Sequence, residues 1–265
     1  NIGTSSDYAG IDEELAKLRA AVEAGTDAVM DLSTGGPIDR VREAVVAASP
    51  VPVGTVPIYQ AAVRAQREKG SIVAMSDEDM FRAIEDHCAS GVDFITVHCG
   101  VTAGVLETLK SNPRVADIVS RGGAFLAGWI LHNGKENPLY AQFDRLLELA
   151  RRWPQIVPLA TLHPDDPALG MAAEDCLNQG FAGFKLHCAV QMVSPADPQL
   201  EPLYEVAIVH DRPVLIHAGT APHPSPVLGI DHFKKLMERY PRLRVHVAHI
   251  GMWEWEAFLA LTEKY

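Results

Sequence analysis

Short apolar runs rich in Val and Ile alternate along the chain with longer amphipathic stretches. Runs that are apolar throughout are typical of strands buried on both faces of a parallel sheet. The pattern predicts strands at residues 27–32, 51–59, 93–98, 115–120, 156–162, 181–187, 212–218 and 244–249. The stretches between them repeat apolar residues at helical spacing, and the clearest predicted helices span residues 11–25, 77–91, 142–153, 200–211 and 230–240.

Regular alternation of strands and helices predicts parallel strands joined by crossover helices. Eight such units predict an α/β fold of the (βα)8 TIM-barrel type, with the helices outside and residues 1–265 forming one domain. A doubly wound open sheet is the alternative. The opening segment "NIGTS" would be a ninth strand, one too many for simple closure. We therefore expect this segment to fray or to be displaced, and the barrel to be hybrid or imperfectly closed.

Composition and charge narrow the class of protein. The chain has 265 residues, 48% of them hydrophobic and 22% charged, which is enough for a sizeable globular core. Its formal net charge of -11 disfavours nucleic acid as a partner. No apolar run is long enough to span a bilayer and no signal-peptide pattern opens the chain, so no membrane partner is expected. We expect a small phosphorylated substrate and leave a homodimer open.

The four cysteines have no C-x-x-C spacing and form no disulfide framework; they are Cys88, Cys99, Cys176 and Cys188. This usage indicates a reducing, cytoplasmic compartment, with each cysteine acting as a small buried hydrophobe.

Polar residues gather where the predicted strands end, which is where barrels carry their chemistry. Four strands end in histidine, at His98, His187, His217 and His249. "SRGG" at residues 120–123 follows another predicted strand. Glycines let an anion approach backbone N–H groups, and Arg121 offers a planar fork for phosphate. The alternative is a glycine turn whose arginine pairs with a surface carboxylate.

A dense, ordered series of segments covers the first half: "NIGTSSD", "VMDLSTGG", "SPVPVGTVPIYQA", "GVDFITVHCGVT", "IVSRGGAFLAGWILHN" and "KENPLYAQFDRLLE". Through them, residues 1–148 resemble the phosphomethylpyrimidine synthase family of thiamine biosynthesis (ThiC). The resemblance implies conversion of aminoimidazole ribotide to hydroxymethylpyrimidine phosphate by radical chemistry. S-adenosylmethionine and a [4Fe–4S] cluster are the implied cofactors, with zinc nearby.

The same resemblance implies substrate-binding roles for Asn1, Met30, Tyr59, His98, Ser120, Arg121 and Gly122. It implies that His98 donates to the substrate or acts catalytically by relaying a proton, that residues 120–122 grip the ribotide phosphate and that "KENPLY" braces that grip. The family's zinc histidines and its three-cysteine cluster motif are not found in this sequence. Because radical initiation needs the cluster, the resemblance implies a binding surface that is inactive on its own.

From residue 149 to residue 265 the sequence is similar to the metal-dependent amidohydrolases, through "GFKLH", "PVLIHAG" and "VAHIG". That similarity implies that His217 and His249 bind zinc or another divalent metal, and that Lys185 is catalytic as a carbamylated bridge. A metal-bound water would then attack a carbonyl. The opening H-x-H pair is absent, and His246 lies three residues from His249 on the opposite strand face. The alternative is that His217 and His249 are barrel-mouth residues without a ligand.

Two half-patterns thus meet near residue 148, inside the continuous helical stretch "FDRLLELARRW", and indicate a chimera or fusion of two barrel fragments. Three functions stay open: a lyase of thiamine pyrimidine synthesis, a metal-dependent hydrolase or decarboxylase, and a non-catalytic barrel that binds a phosphorylated ligand. All three predict one rim shared by Tyr59, His98 and Arg121 with the two metal-ligand candidates.

Overall fold

The computed structural model describes residues 1–111, 118, 120–153, 156–218 and 226–265, with the side chains of residues 190, 249 and 250 outside that description. The chain divides into two compact units, Asn1–Ile156 (unit 1) and Val157–Tyr265 (unit 2). The division falls close to the predicted join at residue 148 and follows the helix that contains it.

Unit 1 contains a parallel sheet with the order β1-β2-β3. Its strands are β1 (Val29–Asp31), β2 (Val53–Thr55) and β3 (Phe94–Ile95). Its helices are α1 (Ile11–Glu23), α2 (Ile38–Ala48), α3 (Pro57–Lys69), α4 (Asp77–Ala89), α5 (Ala103–Ser111), α6 (Arg121–Asn133), α7 (Pro138–Ala141) and α8 (Phe143–Arg152), with a short 3-10 helix at Ile72–Ala74.

The opening segment pairs with this sheet, so the prediction that it frays or is displaced is wrong. Ile2 forms a parallel bridge with Asp31. The Ile2 N–H donates to the Met30 carbonyl at 2.8 Å, and the Leu32 N–H donates to the Ile2 carbonyl at 2.8 Å. Ile2 is buried, and its pairing satisfies an edge of β1 that would otherwise be open. Gly3 permits the close approach, because a Cβ there would lie 2.6 Å from Leu32 backbone atoms.

Two other predicted strands need correction. The strand predicted at 51–59 ends at Thr55, and Pro57 begins α3. Proline suits a first helical position, and a buried helix is as apolar as a buried strand, so the run could not be divided from its hydrophobicity. Residues 112–117 and 119 of the strand predicted at 115–120 lie outside the described residues. Ser120 is not in a strand; it is the N-cap of α6.

Unit 2 contains a parallel sheet with the order β4-β5-β6-β7. Its strands are β4 (Leu159–Ala160), β5 (Gly183–Leu186), β6 (Val214–His217) and β7 (Val245–Ala248). Its helices are α9 (Leu169–Gln179), α10 (Cys188–Gln191), α11 (Glu201–Val209), α12 (Ile230–Arg239) and α13 (Trp255–Thr262), with 3-10 helices at Pro198–Leu200 and His249–Glu254. One sheet face is fully buried, through Phe184, Leu186, Val214 and Ile216.

The predicted α/β class with parallel strands is confirmed. Within the described ranges each unit has four parallel segments, when the N-terminal bridge is included, which makes the eight that a simple barrel needs. That both units close into one barrel stays a prediction. No helix in the described part of the chain is long and apolar enough to cross a membrane.

Candidate functional site

In unit 1, His98 lies three residues after the end of β3 and meets the first turn of α6. The His98 Nε2 lies 2.8 Å from the Ser120 Oγ. Gly122 lies beneath the same imidazole, and a Cβ at that position would be 2.5 Å from the ring. A side chain at Gly122 would therefore displace His98. Three of the predicted substrate-binding residues, His98, Ser120 and Gly122, form one cluster.

The His98 imidazole has one nitrogen available for a ligand. Its Nδ1 is buried and has no hydrogen-bond partner among the described residues. Burial also lowers the pKa of His98, which favours the neutral ring. Because the Ser120 hydroxyl can donate or accept, the tautomer is not fixed, and Nδ1 can either donate to a bound group or accept a proton from it. An unpaired buried nitrogen is costly, and a ligand atom would remove that cost.

Arg121 extends beside the cluster. Its Cζ lies 5.5 Å from the Tyr59 ring centroid, and its Nη1 lies 3.4 Å from the Thr34 Oγ1. The Tyr59 ring packs edge-on against Phe125 with centroids 6.0 Å apart. Arg121 forms no ion pair with a described residue. The alternative in which Arg121 pairs with a surface carboxylate is therefore not seen in the described part of the chain. The guanidinium keeps its charge available at the positive end of α6.

The motif "SRGG" is therefore not a loop that follows a strand. Ser120 caps α6 by accepting from the Gly123 N–H at 3.3 Å, and Arg121 begins the helix. The backbone N–H groups that the sequence predicted for an anion are those of a helix N-terminus, where N–H groups and dipole both favour negative charge.

The remaining two predicted substrate-binding residues lie at the other edge of the sheet. Asn1 is exposed, and the N–H of the next residue bonds to the Met30 carbonyl. Met30 is half-buried and packs against the main core cluster of unit 1. Among the described residues, the side-chain hydrogen bonds of His98 and Arg121 go to Ser120 and Thr34, not to Asn1 or Met30, whose part in the site stays a prediction.

Unit 2 carries its polar residues on the half-exposed face of its sheet. The His187 and His217 rings are stacked, with centroids 4.1 Å apart and planes at 11°. Lys185 pairs in register with Leu215, which pairs with His246. Burial lowers the pKa of Lys185. The side chain of His249 lies outside the described residues, so its predicted partnership with His217 stays a prediction.

Among the described side chains, which do not include that of His249, no three His, Cys, Asp or Glu lie close enough together to hold a metal ion. Burial raises the pKa of Cys88 to about 11 and of Cys99 and Cys188 to about 12. Cluster ligation needs thiolates, which burial disfavours. The four cysteines therefore do not fit a [4Fe–4S] cluster.

A buried polar network lies between α2, α3 and α4, and the sequence analysis missed it. The His87 Nδ1 lies 2.7 Å from the Thr55 Oγ1, and its Nε2 lies 2.9 Å from the Gln60 Oε1. Burial, followed by the charges of Arg42 and Arg64, lowers the pKa of His87 to about 3. The contacts of Gln60, with His87 and Asp39, are structural. The sequence could have indicated a helix here, because Gln60 and Arg64 are four residues apart and so lie on the same helix face.

Comparisons with known proteins agree with both halves of the sequence interpretation. The model of the Radical SAM ThiC family matches residues 1–161 of the 265. The chain therefore belongs to the Radical SAM ThiC family. An amidohydrolase model matches residues 134–265, so the two matches overlap across α7 and α8.

Phosphomethylpyrimidine synthase of Moorella thermoacetica is 62% identical over 153 residues, which is 58% of this chain and 35% of that protein. The corresponding enzyme of Desulforamulus reducens is 56% identical over the same shares of both chains. 5-Hydroxybenzimidazole synthase BzaB of Moorella thermoacetica is 55% identical over 152 residues, 57% of this chain and 36% of that one. The chain spans about a third of the length of these curated relatives.

Among solved structures, the manganese-bound 5-carboxyvanillate decarboxylase of Novosphingobium aromaticivorans is 16% identical, with a TM-score of 0.41 over 99% of this chain and 68% of that one.

Proposed function

We propose that unit 1 binds a phosphorylated imidazole nucleotide of the aminoimidazole ribotide class, and that this chain on its own does not start radical chemistry. One observation carries the proposal: Arg121 lies beside Tyr59 at the N-terminus of α6 without an ion pair in the described residues, and His98 offers a free buried nitrogen next to it. A cation, helix N–H groups and a neutral imidazole together suit a ligand with both a phosphate and a heterocycle.

Each residue has a distinct task in this proposal. Arg121 binds the phosphate through its planar fork, and Gly122 leaves room for the His98 ring beside it. Tyr59 holds the guanidinium in place through its ring. His98 hydrogen-bonds the heterocycle through Nδ1 and is the group that can take up or release a proton there.

The relatives support this ligand class. They are a phosphomethylpyrimidine synthase and a 5-hydroxybenzimidazole synthase, and both match about the same share of this chain. Enzymes with differently named products share this segment, which favours a common binding function for it. Conversion to hydroxymethylpyrimidine phosphate is not part of the proposal, because the cysteines do not fit the cluster that the radical step needs.

Calorimetric titration with aminoimidazole ribotide, and separately with its unphosphorylated riboside, tests the proposal. Removing a charge-assisted hydrogen-bond donor typically costs about 1.5–3 kcal/mol, so Arg121→Ala should weaken ribotide binding about 10- to 100-fold. Arg152→Ala is the matched control, since Arg152 is an exposed arginine paired with Glu85. Absence of heat with the wild-type protein, or equal affinity in both variants, would overturn the proposal.

A divalent-metal hydrolase or decarboxylase in unit 2 is the second candidate. The amidohydrolase match and the stacked His187 and His217 at neighbouring strand ends favour it. Metal analysis after loading with zinc or manganese should show bound metal that His217→Ala loses and the surface variant His210→Ala retains. Unchanged metal content in His217→Ala would remove this candidate. A cytoplasmic location and a homodimer stay predictions.

A further inference from the structure

Asn137, in the "KENPLY" segment, is buried with no exposed surface. Its Nδ2 donates to the carbonyls of His98 at 2.9 Å, Val101 at 3.0 Å and Cys99 at 3.3 Å. Its Oδ1 accepts from the Leu139 N–H at 3.0 Å and so caps α7. One side chain therefore fixes the loop after β3 and the start of a helix.

Glu136 holds the far end of the same loop. Its carboxylate accepts from the Ala103 N–H, at 3.0 Å to Oε1 and 3.2 Å to Oε2. The Oε1 also accepts from the Asn137 N–H at 2.7 Å. Ala103 is the first residue of α5, so two consecutive side chains hold residues 98–103 between the sheet and that helix.

The position of His98 depends on this loop. One side of the His98 ring packs against Gly122, where a Cβ would be only 2.5 Å from the ring. The ring therefore has little room to move on that side. The Ser120 hydroxyl holds Nε2 and can rotate with it. The backbone of His98 is held by Asn137 through its carbonyl. A displacement of this backbone would move Nδ1 out of line with any ligand bound at Arg121.

We propose that Asn137 is the positioning residue of the nucleotide site, acting through His98, with Glu136 as its support. This inference rests on the proposed function. The resemblance implied that "KENPLY" braces the phosphate grip; the hydrogen bonds instead tie it to the loop that carries the imidazole. Asn137 does not itself touch the ligand in this scheme.

A double-mutant cycle on ribotide binding separates positioning from general destabilisation. Asn137→Ser should weaken binding about tenfold in the otherwise wild-type protein and less than about twofold in the His98→Ala background, because coupled residues are not additive. Asn133→Ser is the control, since its Nδ2 also donates to two carbonyls, those of Val73 and Trp129, neither of which belongs to residues 98–103. An equal loss in both backgrounds would overturn the proposal.

A ligand-free measurement makes the proposal independent of the ligand. Side-chain NMR of the His98 ring should show a changed Cε1–Hε1 signal in Asn137→Ser and an unchanged one in Asn133→Ser. If Asn137→Ser does not fold, Glu136→Ala frees the other end of the loop and should change the same signal. Unchanged His98 signals would refute the positioning role even if the protein binds ribotide. Absence of ribotide binding with changed signals would refute the function and leave the positioning role.

Discussion

Unit 1 and unit 2 both place histidines after parallel strands, but they differ in what holds those histidines. In unit 1, three contacts fix His98. The Ser120 hydroxyl hydrogen-bonds its imidazole, the ring packs over Gly122, and the Asn137 amide donates to its backbone carbonyl. In unit 2, the His217 ring stacks on the His187 ring, and no three metal-donor groups gather among the described residues. A strand end brings a histidine to a suitable place, but further contacts must also orient its ring before it can bind a ligand.

The largest effect on binding is expected from a side chain that fills the space between Gly122 and the His98 ring. Gly122→Ala should weaken ribotide binding by about 100-fold, or about 2.7 kcal/mol, because the new methyl occupies the position of the ring. Titration calorimetry measures the loss. Gly128→Ala, in the same helix with nothing near its Cβ position, should leave binding unchanged and add up to about 1 kcal/mol of stability. Equal affinities in the two variants would contradict the packing argument.

The buried His87 gives unit 1 a pH dependence. Burial holds its folded pKa at about 3, below the usual histidine pKa of 6.5, so between those pH values the unfolded chain binds the proton and the folded chain does not. Stability therefore falls as pH drops below about 6.5, by up to about 1.4 kcal/mol per pH unit, or about 2 kcal/mol between pH 7.5 and 5.0. Urea unfolding at the two pH values tests this. His87→Gln should reduce the difference, and an unchanged difference would show that other groups cause it.

The sequence predicted the parallel α/β elements well, because their apolar runs are long and helices such as α4 carry a capping box. It misplaced the end of β2, because a buried helix beginning at Pro57 is as apolar as a strand. It expected residues 1–5 to detach by counting strands, although Ile2 supplies burial and Gly3 the close approach.

The candidate site was predicted in part. His98, Ser120 and Gly122 share a cluster because their segments are close in the fold as the resemblance implied. The role of Asn137 depends on three carbonyls whose orientation is set only when the loop after β3 is folded. No spacing in the sequence reports such a contact.

Ser120 both caps α6 and hydrogen-bonds His98, so its effects on stability and on ligand binding must be separated. Ser120→Ala removes both the cap of α6 and the partner of His98, and should cost about 1 kcal/mol of stability together with about fivefold in ribotide affinity. Ser76→Ala removes the cap of α4 with a similar cost in stability and no effect on affinity. Thermal unfolding and titration of both variants give the two numbers. A loss of affinity in Ser76→Ala would mean that capping alone explains the effect.

The smallest expected effect lies in unit 2 and measures how much the stack of His187 on His217 contributes to stability. Stacked aromatic pairs contribute about 0.5–1.5 kcal/mol beyond their buried area, so His187→Ala and His217→Ala should show a coupling energy of that size in urea unfolding. His187→Phe keeps a ring in the stack and should retain part of the coupling, which separates stacking from the loss of ring nitrogens. If the two alanine substitutions are additive, the stack does not stabilise His217. The stack would then be a matter of geometry without a measurable contribution to the stability of unit 2.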